Sequence, residues 1–471
     1  MKLNIEELKK LAKGQHSTGN IHDILPFRAN DKGIKVNGDF KNILGEFSRL
    51  IKSSALENET APLLSKEDTG EYFTEEVTIG EKISKQVTVD DESSRDDLRR
   101  LIEIILSDRK ENNIIRPIHP HVFLYYPLSD NKNQKDYEKK VAQFAKDILG
   151  YNNDKLSKVF DKSEEDDLLI KLILDHLENL KNSSKGNKYQ ALNSNVITMF
   201  QQDFIFISRH REFFLDHVEL LFQYYLFFYV SQLALNFHRF DKGDHNTIFP
   251  LYYGLDWETL SKRRPSISDS LSYKNLRDIY KSTFVHIHCQ SQLSHLLKNE
   301  IDVKEKRFQT YKDLMELLDE EEERREFLQS LNEWLQKYCE IRGDVTYEGP
   351  VETIQQAIEK LFHYMRTSMS TSVCENYGKS LENIMHGQFL KFRGSLGYSL
   401  NITQEFLILV TALATQGKTK ITLKEYFKEL ENRGVQFDQY SKEKIIDLLD
   451  SINIIEKKSD SGDAQYVKSI L

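Results

Sequence analysis

Apolar residues recur at the spacing of an amphipathic helix along most of this chain, and the exceptions divide it. Ile5, Leu8 and Leu11 mark a first short helix, and Ile43, Phe47, Leu50 and Ile51 a second, with a turn-like stretch at 14–26 between them. Residues 57–97 are rich in Glu, Lys, Asp, Ser and Thr, with scattered β-formers such as Val77, Ile79 and Val87, and read as a loop, a linker or a weak hairpin. From Arg95 the helical period returns in Leu98, Leu101, Ile102, Ile105 and Leu106. It must break before Pro117, because the three prolines in 115–127 remove backbone donors and clash with a preceding turn. Helices are expected again at 137–149 and 166–180, and the polar gap at 181–195 is the best internal boundary on composition.

The next stretch, 196–399, is the aromatic-rich helical part. Residues 220–237 read LLFQYYLFFYVSQLALNF, apolar or aromatic except for Gln223, Ser231, Gln232 and Asn236. A membrane span needs roughly 20 mostly apolar residues, and this run comes close. A helix apolar on every side is also what the centre of a large helical protein requires, and four amides or hydroxyls inside the run favour the buried reading. An irregular loop is expected at 241–265. A long helix is expected at 303–341 on the spacing of Leu314, Leu317, Leu318, Phe327, Leu331, Trp334 and Leu335, with the acidic run at 319–323 as its solvated face. Pro350 opens a further helix carrying Ile354, Ile358, Leu361 and Met365. No repeat of solenoid length is present.

The local signals agree best at the C-terminal end. Asn401 is placed to cap a helix with the stripe Phe406, Leu409, Val410 and Leu413, closed by Gly417. Thr422 and Glu425 form a capping box for a second helix with Leu423, Tyr426, Phe427 and Leu430, ended by Gly434 in a left-handed turn. A third helix is expected to start at Ser441, stapled by Tyr440 and Ile445, with Ile445, Leu448, Leu449 and Ile452 inward. Two β-type runs, 454–458 and 465–470, then flank a turn at 459–463. Three short helices and a hairpin are the layout of a winged helix, a helix-turn-helix with a wing. The expected fold is therefore mainly α: a mixed N-terminal segment with a polar linker at 1–97, a helical region at 98–195, an aromatic-rich core at 196–399 and a winged-helix domain at 400–471.

Composition sharpens this picture. With 471 residues the chain is too long for one ordinary core, and 8 Pro and 20 Gly are few, as helices demand. Net charge is −9, which argues against an autonomous DNA binder. Residues 400–471 hold ten Lys and Arg against eleven Asp and Glu, a net charge of −1. Gln439, Lys442 and Lys444 on the third helix, with Lys457, Lys458 and Lys468 on the hairpin, are the candidate contacts to double-stranded DNA. Acids interleave them, so protein docking stands beside DNA contact as the use of this module. Three distant cysteines, Cys289, Cys339 and Cys374, make neither a disulfide framework nor a zinc pair. Together with a charged, amphipathic start, they point to a reducing cytoplasm.

Candidate chemistry is sparse. The run VHIH at 285–288 would place His286 and His288 on one face of a strand, a spacing that suits zinc, but no third ligand is apparent, and partner-bonded histidines are the commoner outcome. His119 and His121 take the same reading. Arg209, His210 and Arg211 form a basic cluster or pair with Glu212 and Asp216. Lys262, Arg263 and Arg264, following Trp257, are the compact basic patch of the body, suited to phosphate or to plain solvation. GKT at 417–419 lacks the upstream glycine of a phosphate loop, and neither GxSxG nor HExxH occurs. RGSLGY at 393–398 is a candidate hinge.

FDQYSK at 437–442, EKKSDSGDAQYVKSIL at 456–471 and YYLFFYVSQL at 224–233, with Asp256-Trp257-Glu258, Ser261-Lys262 and RGSLGY, make the chain resemble the DptG (DndG) family. Those proteins are subunits of bacterial DNA-phosphorothioation-dependent restriction systems. The resemblance covers mainly the last eighty residues and parts of the middle. It implies work beside the ATPase- or helicase-like partners DptF and DptH, against incoming DNA that lacks the sulfur mark. It implies no catalytic residue and no cofactor here. A non-catalytic scaffold or DNA-sensing subunit is thus the leading expectation. The rivals are a metal-dependent nuclease assembled from distant residues around VHIH, and a membrane-anchored adaptor using 220–237.

Overall fold

The computed structural model of the chain describes residues 1–14, 16–33, 40–57, 59, 79–106, 116–162, 167–297, 306–457 and 465–471. Among them are 18 α-helices, and helix outweighs strand by 59% to 8%, so the fold is mainly α. The chain forms two compact units. The larger comprises 1–38, 188–199 and 223–471, and the smaller 39–187 and 200–222.

In the smaller unit, helix Lys41–Ile51 lies close against the 3-10 turn Pro120–Tyr125. Gly45 permits the approach, since a Cβ there would stand 2.6 Å from that of Tyr126. Buried Arg49 pairs with Glu46 at 2.9 Å and donates to the carbonyls of Leu124 and Tyr126, so its charge is compensated where it lies. Phe123, Phe160, Phe204 and Phe214 meet edge-on or tilted to fill the interior. Of the loop, linker or weak hairpin expected at 57–97, residues 58 and 60–78 lie outside the described residues, and the rest holds helix Ile79–Gln86 and the start of helix Glu92–Leu106, so Ile79 opens a helix rather than a strand.

The run at 220–237 is the last two thirds of helix Arg211–Phe237. That helix is long and apolar enough to cross a membrane by composition, and 94% of its most apolar window is buried inside the protein. Gln223, Ser231 and Gln232 are partnered there, whereas Asn236 donates to the Gln232 carbonyl and its Oδ1 has no partner among the described residues. Gln223 donates to the carbonyl of Ile384, Gln232 both donates to and accepts from the backbone of Phe249, and Ser231 bonds the Tyr280 hydroxyl. A polar group taken from water needs such a partner.

Elsewhere in the larger unit, helix Ile5–Ala12 packs on helix Glu321–Arg342. Leu8, Trp334, Leu335, Ile358 and Leu361 share one apolar cluster with Val285 and Leu293. The single helix expected at 303–341 is two, Tyr311–Leu317 and Glu321–Arg342. Residues 306–309 are not helical, because Lys306 bridges Ile21 and Thr310 forms a capping box with Asp313. The acidic residues Glu321, Glu322 and Glu323 then fall in a first helical turn, where the helix dipole favours them. Pro350 does not open the next helix, which runs Ile354–Ser368 from the cap Thr353.

After a hairpin of strands Leu390–Phe392 and Tyr398–Ile402 come helix Gln404–Ala414, strand Lys420–Thr422, helix Leu423–Asn432, strand Val435–Gln436, helix Gln439–Ser451, and strands Ile455–Lys457 and Gln465–Lys468. Gln465–Lys468 lies between the other two in an antiparallel sheet, with Val467 opposite both Ile421 and Ile455. Asn401 is in a strand, so Thr403 caps the first of these helices. The candidate hinge at 393–398 is the tip of the hairpin, with Phe392 paired to Tyr398. The expected irregular loop at 241–265 supplies two short strands: Leu251–Tyr252 pairs in parallel with Val435–Gln436, and Gly254–Leu255 with Asn401 and Ile402.

Candidate nucleic-acid interface

Helix Gln439–Ser451 begins at Asp438, whose carboxylate accepts from the Ser441 amide at 3.0 Å, so Ser441 is not the cap. Ser441 is buried and donates its hydroxyl to Glu258 at 2.8 Å. Arg264 closes the cluster: its Nη2 reaches Asp438 at 2.7 Å, Glu258 at 3.0 Å and the Ser441 hydroxyl at 2.9 Å. Burial pulls the Arg264 pKa down, but the bonds to Asp438 and Glu258 prevail and raise it. A guanidinium so engaged holds the loop to the helix and is not offered to phosphate. Tyr440, expected to staple the helix from inside, is exposed with its ring 5.1 Å from the Arg264 guanidinium. Ile445 and Leu449 are buried, whereas Ile452 is exposed.

The remaining candidate contacts are answered one by one within the protein. Gln439 donates to Glu443 at 3.2 Å. Lys442 lies 3.7 Å from Glu431 and over the Phe427 ring, Lys444 is 3.6 Å from Asp447, and Lys457 is 2.7 Å from Asp450. Lys468 donates to Asn453 at 3.4 Å. Lys458 lies outside the described residues. Exposed pairs of this kind contribute at most about 1 kcal/mol each, yet any phosphate must compete with the carboxylate already there. Lys262 and Arg263 differ, being exposed and without an ion pair among the described residues. Sequence reasoning missed Glu258 and Asp438, whose partners are remote in the chain. The bidentate demand of Arg264 was the available signal.

His286 and His288 sit in helix Tyr273–Leu293, not in a strand. At 3.6 residues per turn, positions two apart face nearly opposite directions. His286 bonds the Tyr311 hydroxyl at 3.0 Å and stacks on Phe362, while His288 packs against Phe284. Burial holds both neutral, lowering the His288 pKa to about 4 and holding that of His286 well below its ordinary value. The Cys289 thiol is pushed up to about 12 by burial and is inert as a nucleophile. His119 and His121 are structural, the first accepting from the His121 amide and the second bonded to the Phe160 carbonyl. Arg211 donates to the Ile118 carbonyl. Among the described residues no group of three or more His, Cys, Asp or Glu is placed to hold a metal ion.

No protein-family model matches the chain, and no curated protein is similar to it.

Proposed function

We propose that the chain is a non-catalytic scaffold or DNA-sensing subunit of a bacterial, cytoplasmic DNA restriction complex of the phosphorothioation-dependent kind, working with DptF- and DptH-like ATPase or helicase partners. The observation that carries this reading is the order of the last elements: helix, strand, helix, a two-residue strand, helix and two strands, with the final strand between Lys420–Thr422 and Ile455–Lys457 in one sheet. That order fits a winged helix. The acids beside Lys442, Lys444 and Lys457 favour its use in docking protein, with DNA contact weak and salt-sensitive.

The purified chain is expected neither to hydrolyse ATP nor to cut DNA, and to co-purify with a partner ATPase. Charge reversal at Lys442, Lys444, Lys457 and Lys458 should disrupt assembly while leaving DNA binding unchanged. Metal-dependent cleavage by the chain alone, abolished by one carboxylate substitution, would overturn the proposal.

A further inference from the structure

An outer strand with no neighbour presents a row of unpaired main-chain groups, and one sheet of this protein ends in that way. Its strands run in the order Gly254–Leu255, Tyr398–Ile402, Leu390–Phe392, so the last is paired on one side alone among the described residues. The Arg393 amide donates to the Gly397 carbonyl at 2.8 Å and the Asn401 amide to that of Phe389 at 2.9 Å. Alternate residues of an antiparallel ladder face the partner strand. Lys391 therefore turns its main-chain groups to Ser399, and Leu390 and Phe392 turn theirs to the open side, where none has a hydrogen-bond partner among the described residues. The side chains divide between two faces, with Leu390, Phe392 and Tyr398 on one and Lys391 and Arg393 on the other. On the first, Phe392 (62% exposed) and Tyr398 (45%) have ring centroids 5.3 Å apart, and His386 meets Tyr398 edge-on at 6.1 Å. On the second, Lys391 pairs with Asp256, and Arg393 donates to the carbonyls of Leu255 and Glu258, which fixes the strand in place.

We propose that the open edge of Leu390–Phe392 takes up, as an added antiparallel strand, an extended segment of a partner protein in which two apolar residues flank an acidic one. The unpaired main-chain groups dictate the form of the occupant. A helix has spent its own N–H and C=O groups internally, whereas an extended segment brings the donors and acceptors that the edge lacks. Its apolar residues, opposite Leu390 and Phe392, share the face of the Phe392 and Tyr398 rings, and the residue between them lies opposite Lys391. There Lys391 and Arg393 are matched by Asp256, because the Glu258 carboxylate is taken by Arg264 and Ser441, so an acid is favoured. A second copy of the chain fits less well. The register that uses both Leu390 and Phe392 would set Lys391 directly opposite its own counterpart, and like charges so placed are destabilising. A strand of three residues also falls far short of the roughly 1,200 Å² that a stable interface buries. The proposal deepens the docking role, rests on it for the existence of a partner, and adds a surface outside the elements of 404–468.

A fluorescein-labelled peptide, Gly-Ser-Val-Glu-Val-Ser-Gly, titrated with the full chain should show a saturable rise in anisotropy. N-methylation of either Val removes an N–H that reaches the edge and should weaken binding by about tenfold. N-methylation of the Glu, whose N–H faces away, should leave it unchanged. Exchanging the Glu for Lys should weaken it by about threefold. Phe392→Ala should weaken it by about fivefold, while Phe392→Tyr, which keeps the ring, retains it. Unchanged thermal unfolding of both variants confirms that folding is not the cause. Absent binding, or equal losses from methylation at Glu and at Val, would overturn the proposal. So would a chain that sediments as a dimer and becomes monomeric on Phe392→Ala, which would make a second copy the occupant. Peptide binding without co-purification of a partner ATPase removes the assembly role and leaves the edge site standing. Co-purification without peptide binding removes the edge site alone.

Discussion

Gly434 carries two constraints at one backbone position. Its φ of +81° is disfavoured for an L side chain, and a Cβ there would lie 2.3 Å from the Phe228 ring of the apolar helix. The hydroxyl of Tyr224, one turn earlier on that helix, bonds the carbonyl of Arg433, and its ring meets Phe406 at 4.7 Å. The glycine is thus where backbone of the C-terminal segment lies directly on a buried aromatic face. Gly417 shares the positive φ, at +70°, but has open space around it. Gly434→Ala should therefore destabilise the protein by about 3 kcal/mol, strain and overpacking together, while Gly417→Ala should cost about 1 kcal/mol for strain alone. Urea unfolding of the two variants measures the difference. Equal losses would mean that the contact with Phe228 is not tight.

Helix Gln439–Ser451 starts where two independent demands meet in one residue. Asp438 caps the helix through the Ser441 amide and neutralises Arg264 from the adjoining loop. Asp438→Asn keeps the cap and gives up the ion pair, whereas Asp438→Ala gives up both. The second should cost more than the first by about 1 kcal/mol, the usual worth of an N-cap. Thermal or urea unfolding checks it, and equal costs would leave the ion pair as the sole role. The same element shows what was legible beforehand. The Thr422–Glu425 capping box and the left-handed Gly434 were readable because capping is local, and both are present. Ser441 was favoured as the next cap because the local words Asp-Gln-Tyr-Ser offer two candidates, and the choice is made by Glu258, a residue 183 positions away that takes the Ser441 hydroxyl. Two-residue parallel pairings such as Leu251 with Val435 leave no periodic trace. VHIH fits alternation over four residues, but the longer run Leu276, Ile279, Tyr280 and Thr283 leading into it has helical spacing, and the longer pattern wins.

Both compact units carry histidines depressed by burial, His121 among them in the smaller one, and carboxylates held down by their partners. In the larger unit burial lowers His245 and His288 from an ordinary 6.5 to about 4, and holds His286 well below that ordinary value. A histidine whose folded pKa is depressed binds fewer protons folded than unfolded, so its contribution is present above pH 6.5 and is lost as pH falls towards 4. In the smaller unit, hydrogen bonds from Lys135 and Lys139 hold Glu59 down to about 2, although burial opposes them. That contribution is lost only below the ordinary carboxylate value of 4.5. Glu382 in the larger unit acts the other way, because burial raises its pKa. Between about pH 6.5 and 5 the histidines therefore dominate, and His286 and His288 together should steepen the fall in stability by up to about 3 kcal/mol per pH unit. Thermal unfolding across this window should show the midpoint falling with pH, and His288→Gln should reduce the slope by about 1 kcal/mol per pH unit. A wild-type midpoint that stays level down to about pH 5 would mean that these imidazoles take up protons in the folded state as readily as in the unfolded one.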